Sequence, residues 1–413
     1  MARESLLFLS AHLPSPAARE AGQKTAFRNL EWLAEDYAVT LVAFCNEREM
    51  ALVRSPVRQL CDEVFVVPIN KATRALGVLA RPTVPMIVAA RWEPRVVRTI
   101  RTLRRVRTYH RVHCEWSQMA LYAPLFEGIA VRTLSLHDVL YQWYERRAQA
   151  SCGVRSLFWQ AEAMRARRWE AKSYAAFSCI YVPTEKDRRL VAALSAVLGT
   201  RTFVLAHHVG AYSAPGSGAK SERPRVVFWG AMSRHENLEA ACWLMTDVLP
   251  IIRRHVHDVQ LLIAGADPPA WLVKAAEGQT DVVVTGYIED PGSLFASARV
   301  AALPLFSGAG VKVKVLECLA AGLPVVTTPV GAEGISAGVE QGLIVCPPEP
   351  RSFAETVSLL LRDAELRTRL GQAAAHWAER NLRADKRLLL APPAGGRAVE
   401  RWPGQVDGER ERT

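Results

Sequence analysis

The chain has 413 residues, 50% of them hydrophobic and 23% charged, which is enough apolar surface for two packed domains and excludes a largely disordered chain. Its formal net charge of +11 favours an anionic partner. The short apolar stretch LLFL near the N-terminus does not predict a secretion signal, and no stretch is apolar for long enough to predict a membrane-spanning helix. We therefore expect a cytoplasmic protein, soluble or bound peripherally at the inner face of the plasma membrane.

The first half of the chain alternates apolar stretches with helical periodicity. Strands are predicted in SLLFLSAHLP and over residues 39–44, 63–69, 112–115, 131–136 and 180–183, and helices over residues 25–35 and 141–177. Strands that are apolar on both faces are typical of a parallel sheet covered by helices.

A stretch rich in glycine, serine and proline follows at residues 211–224 and predicts a linker. After it, the strand-like segments RVVFWG, VQLLIAG, VVVTG, VAALPL and PVVTTPVG are separated by predicted helices. The whole pattern predicts an α/β protein with two doubly wound Rossmann-like domains facing across a cleft. We place the domains at residues 1–205 and 225–378, the linker at 206–224 and a disordered tail at 379–413.

The cysteines predict no metal or disulfide framework. None forms a C-x-x-C pair, and several lie in apolar runs, so we expect buried free thiols in a reducing compartment. They are Cys45, Cys61, Cys114, Cys152, Cys179, Cys242, Cys318 and Cys346.

The residues that carry chemistry concentrate where strands of the second half end. Glycines at such ends let a ligand approach the backbone, and they are Gly230, Gly265, Gly286, Gly308 and Gly310. The last two precede a predicted helix, beside Lys312 and Lys314. Backbone N–H groups at a helix start and two ammonium groups fit a diphosphate, and Glu317 on the same helix can accept hydrogen bonds from a ribose diol.

The order and spacing of these motifs resemble the donor-binding domain of GT-B-fold, family-4 type retaining glycosyltransferases, especially those of bacterial polysaccharide assembly. The likeness covers residues 225–334 and rests on Gly230 with Asn237, LPII at 249–252, PLFSGAGVKVKVLE and PVVTTPVGAEG. It implies transfer of a sugar, with retained configuration, from a nucleotide-diphosphate-sugar donor to a saccharide or lipid-linked acceptor. The product would be a polysaccharide such as an exopolysaccharide.

The resemblance also implies roles for single residues. Lys312 and Lys314 would neutralise the departing diphosphate, Glu317 would bind the ribose, and His137, which precedes Asp138, would contact the donor sugar from the first domain. The remaining donor contacts implied are Gly286 and Tyr287 for the base, Ser307, Gly308 and Gly310 for the sugar and β-phosphate, and Gly22 and Gly230 in the two glycine loops.

The chain departs from the family pattern at three places. Ala231 and Glu236 stand where many relatives carry an arginine and a lysine, and Ala309 replaces the first of two glutamates spaced eight apart. Arg234 can replace part of the missing charge. No helix that crosses back to the first domain is predicted after Trp377.

Two alternative functions remain open. One is a nucleotide-sugar 2-epimerase, which shares the fold and the donor but needs more carboxylates and histidines in the cleft. The other is a catalytically inactive scaffold in a polysaccharide-assembly complex, which the three departures favour. Because the sequence has no Asp-x-Asp motif or His/Asp cluster, we expect neither a metal ion nor a cofactor besides the nucleotide-sugar co-substrate.

Arginines concentrate in two segments with spacings of three and four, which places part of each set on one helix face. Two interpretations remain, a solvated helix face or docking on an anionic membrane surface. No nucleic-acid-binding module accompanies the charge, so we expect no nucleic-acid partner. The two sets are Arg91, Arg95, Arg98, Arg101, Arg104, Arg105, Arg107 and Arg111, and Arg146, Arg147, Arg155, Arg165, Arg167 and Arg168.

Overall fold

A computed structural model describes residues 3–18, 20–46, 49, 56–207, 209, 223–308, 310–383 and 385–390. These residues form two sheets of seven and six strands, and every strand pair is parallel. Helices cover the faces of the sheets. The predicted class, two doubly wound α/β domains, is confirmed.

The first sheet has the strand order β3-β2-β1-β4-β5-β6-β7. Successive strands are added to one side of β1 up to β3 and to the other side of β1 from β4 onwards. Its strands are β1 (Glu4–Ser10), β2 (Tyr37–Cys45), β3 (Glu63–Pro68), β4 (Arg111–Glu115), β5 (Val131–Ser135), β6 (Cys179–Val182) and β7 (Thr202–Val204). Its helices are α1 (Ala21–Asp36), α2 (Val57–Leu60), α3 (Lys71–Ala80), α4 (Met86–Ala89), α5 (Pro94–Val106), α6 (Leu140–Gln149), α7 (Gly153–Tyr174), α8 (Glu185–Ala192) and α9 (Ala196–Thr200), with a 3-10 helix at Ser117–Phe126.

The core of the first domain explains why its strands are apolar on both faces. Alternate residues of β1 enter two different clusters, Leu6 packing with Leu30 of α1 and Leu7 packing with Ile100 of α5. The helix predicted over residues 141–177 is two helices, α6 and α7. The break lies at Gly153, whose φ of +58° belongs to the left-handed region that a continuous helix excludes.

The second sheet has the order β10-β9-β8-β11-β12-β13. Its strands are β8 (Arg225–Trp229), β9 (Gln260–Ala264), β10 (Val282–Gly286), β11 (Val300–Leu303), β12 (Val325–Thr327) and β13 (Leu343–Val345). Its helices are α10 (His235–Trp243), α11 (Leu249–His255), α12 (Ala270–Glu277), α13 (Gly292–Ser297), α14 (Val313–Ala320), α15 (Pro350–Arg362) and α16 (Ala364–Asn381); a π-helical turn at Leu244–Val248 joins α10 to α11, and a 3-10 turn lies at Val339–Gln341.

The predicted tail differs from the structure at residues 379–390. Helix α16 continues to Asn381, and α17 (Lys386–Leu390) packs against α1 of the first domain. Leu389 is buried there, and the buried Arg111 donates hydrogen bonds to the carbonyl oxygens of Leu389 and Leu390. A guanidinium therefore satisfies the carbonyl groups that the end of α17 leaves without helical partners. The chain does cross back to the first domain, in a segment too short for its periodicity to be recognised.

Other predictions fall partly outside the described residues, namely linker residues 208 and 210–222, Ala309, and tail residues 391–413. The eight cysteines all lie within the described residues and form no disulfide; six are buried, Cys242 is half-buried and Cys152 is exposed. Over the described ranges, no helix combines the length and the apolar character needed to span a bilayer.

Candidate functional site

A cleft of about 450 Å³, open to solvent, lies between the carboxyl ends of the two sheets. It brings together nine of the twelve predicted site residues, namely Gly22, His137, Gly230, Arg234, Tyr287, Gly308, Lys312, Lys314 and Glu317. Gly286, Ser307 and Gly310 lie beside the cleft without lining it. The first two departures from the family pattern, Ala231 and Glu236, line the same space.

Lys314 lies half-buried in the wall formed by the second domain. Its ammonium group donates a hydrogen bond to Oδ1 of Asn237 and lies 5.8 Å from the ring centroid of Phe228. Burial lowers the pKa of Lys314 to about 7, although the nearby Glu236 acts in the opposite direction. Gly230 makes this position possible, because a Cβ there would lie 3.0 Å from Nζ of Lys314.

Lys312 lies next to the glycine loop. Its Nζ donates to the carbonyl oxygen of Gly310 at 2.7 Å, and burial lowers the pKa of Lys312 to about 8, against the opposing effect of Glu333. Gly310 has a φ of +72°, and a Cβ on it would lie 3.5 Å from the carbonyl oxygen of His137. The loop thus touches the first domain where α14 begins.

Glu317 is oriented by a residue that sequence reasoning did not assign. The indole N–H of Trp229, the last residue of β8, donates to Oε2 of Glu317 at 2.8 Å. The Trp229 ring is held edge-on against Phe295, with 5.7 Å between centroids. Tyr287 is 49% exposed on the same side of the cleft, which leaves its ring accessible to a stacking ligand.

His137 faces this wall from the first domain. Its Nε2 lies 2.9 Å from Oε2 of Glu115, which is fully buried and also bonded to Nε2 of His113 (3.0 Å) and Nδ2 of Asn29 (2.6 Å). Burial by itself would raise the pKa of Glu115, but the hydrogen bonds from His113 and His137 lower it to about 2. An ionised carboxylate only accepts hydrogen bonds, so Nε2 of His137 carries the proton.

The opposite ring nitrogen of His137 points towards Gly22, which lies in the first turn of α1 rather than in the predicted loop. A Cβ on Gly22 would lie 3.3 Å from Nδ1 of His137, so the glycine leaves this nitrogen room in the cleft. The ring also stacks on Trp116, with 4.3 Å between centroids and 13° between planes. Trp116 has a φ of +71°, a strained conformation for a non-glycine residue and of the kind that concentrates at functional sites. Nothing in the sequence signals this strain.

His207 belongs to the same wall. Its Nδ1 lies 3.1 Å from Oγ1 of Thr25, and burial lowers its pKa to about 3, so the ring is neutral at pH 7. It lines both the cleft and a smaller cavity of about 20 Å³. His137 also lines both spaces.

Ion pairs join the two domains at the edges of the cleft. Arg146 of α6 forms a bidentate pair with Glu333 and donates to the carbonyl oxygen of Gly308 at 2.8 Å, while Nζ of Lys186 lies 3.0 Å from the same glutamate. Arg234 lies 3.4 Å from Glu20 of the first domain. Glu333 stands in the PVVTTPVGAEG motif, but its partner is 187 residues away, beyond any local pattern.

The cationic side chains that line the cleft are lysines and an arginine. Across the described part of the chain, no group of three or more His, Cys, Asp or Glu residues is arranged to hold a metal ion. Lys312 and Lys314 present two half-buried ammonium groups to the cleft. Such an arrangement can bind a diphosphate directly.

Comparisons with known proteins show what the second domain is similar to. Residues 223–363 match the family described as glycosyl transferases group 1. The phosphatidyl-myo-inositol mannosyltransferase of Mycobacterium leprae is 30% identical over 159 residues, covering 38% of this chain and 42% of the relative. An uncharacterized 44.6 kDa protein from the cps region of Klebsiella pneumoniae is 24% identical over 131 residues, covering 30% and 34%. The chain therefore spans less than half the length of these curated relatives.

Solved structures resemble the chain over nearly its whole length. WaaG, a glycosyltransferase involved in lipopolysaccharide biosynthesis, superimposes with a TM-score of 0.64 at 17% identity, covering 93% of this chain and 97% of WaaG. Sucrose-phosphate synthase from Thermosynechococcus elongatus gives 0.63 at 14% identity, covering 92% and 95%. HepE of Anabaena, in complex with UDP-glucose, gives 0.62 at 13% identity, covering 94% and 97%. The resemblance predicted from the sequence is thus confirmed: the chain has the GT-B fold, and its second domain is similar to the group 1, family-4 type glycosyltransferases.

Proposed function

We propose that this protein is a retaining glycosyltransferase that moves a sugar from a nucleotide-diphosphate-sugar to a saccharide or lipid-linked acceptor in polysaccharide biosynthesis. One observation carries the proposal: Lys312, Lys314 and Glu317 lie together on one wall of a cleft whose other wall presents His137. The group 1 match and the UDP-glucose complex of a protein with the same fold support this class of donor.

The donor's diphosphate lies against Lys312 and Lys314 in this proposal, with its ribose at Glu317 and its base near Gly286 and Tyr287. Charge grows on the diphosphate as the glycosidic bond breaks, and two fixed ammonium groups stabilise that charge more than they stabilise the intact donor. The sugar then lies between Gly308 and Nδ1 of His137.

We also propose that the two lysines replace a divalent metal. Burial lowers the pKa of Lys314 to about 7 and the pKa of Lys312 to about 8. A bound diphosphate offsets the cost of burying both charges, so the ligand itself restores the ammonium form. The two lysines are therefore fully charged when the donor is bound and only partly charged when the cleft holds no anion.

The test is release of nucleoside diphosphate by the purified full-length chain. UDP-, GDP- and ADP-sugars are screened first by thermal shift, because a ligand that binds only the folded state raises the melting temperature. Binding donors are then assayed with saccharide and lipid-linked acceptors, with and without EDTA. Release that is insensitive to EDTA, with a new glycosidic product, is the expected result.

Each other outcome contradicts part of the proposal. Binding without release, with all acceptors and without one, indicates the inactive scaffold. Conversion of the donor sugar without an acceptor indicates a 2-epimerase. Loss of release in EDTA, restored by Mn²⁺, would show that the lysine pair does not replace a metal.

We place the reaction in the cytoplasm, with the protein peripheral at the inner face of the plasma membrane. The net charge of +11 supports an anionic membrane surface as a partner. Neither a cofactor nor a nucleic acid is part of the proposal.

A further inference from the structure

Helix α7 has an apolar stripe on its solvent side in addition to its buried face. Val154, Leu157, Phe158 and Met164 are 83%, 64%, 47% and 57% exposed. Intervals of three, four and six residues place them along one side of the helix. The opposite side buries Ala163, Ala166 and Tyr174. A surface helix of a soluble domain normally carries polar residues where this one carries the stripe.

A second pair of exposed apolar residues lies on α3. Leu76 and Leu79 are 62% and 77% exposed and one helical turn apart. Helix α4 connects this pair to α7, because a Cβ on Gly77 of α3 would lie 2.3 Å from a carbonyl oxygen of α4, and Met86 of α4 donates its backbone N–H to Glu162 of α7 at 2.8 Å. The six exposed residues are called the α3–α7 surface: Leu76, Leu79, Val154, Leu157, Phe158 and Met164.

The charged residues of residues 64–92 and of α7 that are not buried have one sign. The sequence has no aspartate or glutamate over residues 64–92, which include α3 and α4, and the two acidic residues of α7, Glu162 and Glu170, are both buried. The cationic residues of these segments that are not buried are Lys71, Arg74, Arg81, Arg155, Arg165, Arg167, Arg168 and Lys172, of which Arg165 pairs with Glu162. Apolar side chains surrounded by cations match the interface of an anionic bilayer, which accepts both groups at once.

Aromatic rings link this surface to the cleft. Trp143 lines the cleft, its ring centroid lies 6.2 Å from that of Trp159, and Trp159 lies 4.9 Å from Phe158. The guanidinium group of Arg147 lies over both tryptophans, 4.4 Å and 5.1 Å from their centroids. A lipid held at the α3–α7 surface is therefore one layer of rings away from the site.

Helix α5, the centre of the other arginine-rich segment, is less suited to this role. Arg104 donates to the carbonyl oxygens of Leu125 and Glu127, and Arg107 pairs with Glu63 at 3.0 Å. Among the large apolar residues of α5, only Val106 is exposed, at 77%. A charged face without an apolar stripe binds an anionic surface weakly.

We propose that the α3–α7 surface inserts shallowly into an anionic bilayer, with its apolar side chains at the level of the acyl boundary and the neighbouring arginines on lipid phosphates. This orientation would present a lipid-linked acceptor to the cleft beside Trp143. Presentation of a lipid-linked acceptor to the cleft rests on the proposed function. Binding of the protein to vesicles does not, and it is measured without turnover.

The test is co-sedimentation with vesicles of phosphatidylglycerol and phosphatidylcholine, compared with phosphatidylcholine alone. The test variants are Leu157→Glu/Phe158→Glu and Leu76→Glu/Leu79→Glu. The matched control is Val339→Glu/Leu359→Glu in the second domain, where the two side chains are 58% and 48% exposed. We expect the wild type and the control to bind the anionic vesicles. Each test variant should bind them more weakly than the wild type by about tenfold or a larger factor.

The proposal is overturned if the wild type does not bind anionic vesicles, or if the test variants bind them as well as the wild type does. It is also overturned if light scattering gives a lower molecular mass for the variants than for the wild type, because this surface would then be an interface between copies of the chain. Unchanged melting temperatures show that the variants are folded. Release of nucleoside diphosphate in the absence of vesicles is measured in parallel. A variant that loses vesicle binding but keeps this release separates a failure of docking from a failure of the proposed function.

Discussion

The two walls of the cleft differ in how complete they are without a ligand. In the first domain, the carboxylate of Glu115 already has His113, His137 and Asn29 as hydrogen-bond partners. In the second domain, burial lowers the pKa of Lys312 and Lys314, which shows that their charged forms are poorly compensated. We therefore expect the first wall to supply fixed geometry and the second wall to supply most of the affinity for an anion.

The strongest test of this comparison is Lys314→Ala. We expect turnover to fall by about 10²–10³-fold, because a charge fixed at the departing diphosphate is lost. The matched control is Lys274→Ala, an exposed lysine on α12 outside the cleft, which should leave turnover unchanged. Steady-state release of nucleoside diphosphate measures both. Equal rates for the two variants would remove Lys314 from the mechanism.

Glu115→Gln tests the first wall and should lower turnover about 10- to 100-fold. The amide no longer fixes the proton on Nε2 of His137, so the ring loses its single tautomer and its orientation under Gly22. Nitrogen chemical shifts of the His137 ring give a readout that a merely structural role would not move, since they report the tautomer directly. The surface variant Glu355→Gln serves as control. A variant with normal turnover and an unchanged tautomer would contradict the role given to Glu115.

Donor affinity should depend on pH through the second wall alone. The pKa values of Lys314 and Lys312 are lowered to about 7 and about 8, and a bound diphosphate favours their charged forms. Affinity for a nucleotide-sugar is therefore highest below pH 7 and falls as pH rises through 7 and 8, by roughly tenfold per lysine per pH unit at most. Calorimetry in buffers of different ionisation enthalpy should record proton uptake on binding at pH 8. Absence of proton uptake would show that both lysines are charged before the donor binds.

The smallest effect is expected where the walls are joined. Arg146→Gln removes the pair with Glu333 and the hydrogen bond to Gly308. We expect a loss of only a few-fold in turnover and an increase in donor hydrolysis without acceptor, because a less tightly held loop admits water. Arg351→Gln, whose partner Glu355 lies on the same helix, is the control. An unchanged ratio of hydrolysis to transfer would indicate that this contact does not seal the site.

The same contrast explains which parts of the site the sequence could predict. Lys312, Lys314 and Glu317 lie within six consecutive residues at the start of a helix, so their spacing alone places them together. The first wall depends on the pairing of β4 with β5, which sets Glu115 opposite Ser135 and so brings it to His137, 22 residues away. Only Gly22 and the pair His137–Asp138 hinted at that wall.

The same distinction between local and long-range signals applies to the fold. The two alternations of strand and helix predicted both sheets, because apolar strands and their turns are local signals. The break between α6 and α7 depends on one glycine at positive φ, and α17 is a run of five residues stabilised by contacts with α1 and Arg111. Long-range partners decide both features, and a single sequence does not contain them. The exposure of the apolar stripe on α7 could not be predicted for a related reason. Helical periodicity does not show which of two apolar helix faces packs against the rest of the domain.

The attachment of α17 to the first domain has a mechanical consequence. The polypeptide passes between the domains twice, once between β7 and β8 and again between α16 and α17. Two covalent connections between the domains favour rotation about the axis that passes through both connections. A single connection would not favour any one axis. Any opening of the cleft therefore has a preferred direction, and a truncation before Lys386 would free the domains to twist as well as to open.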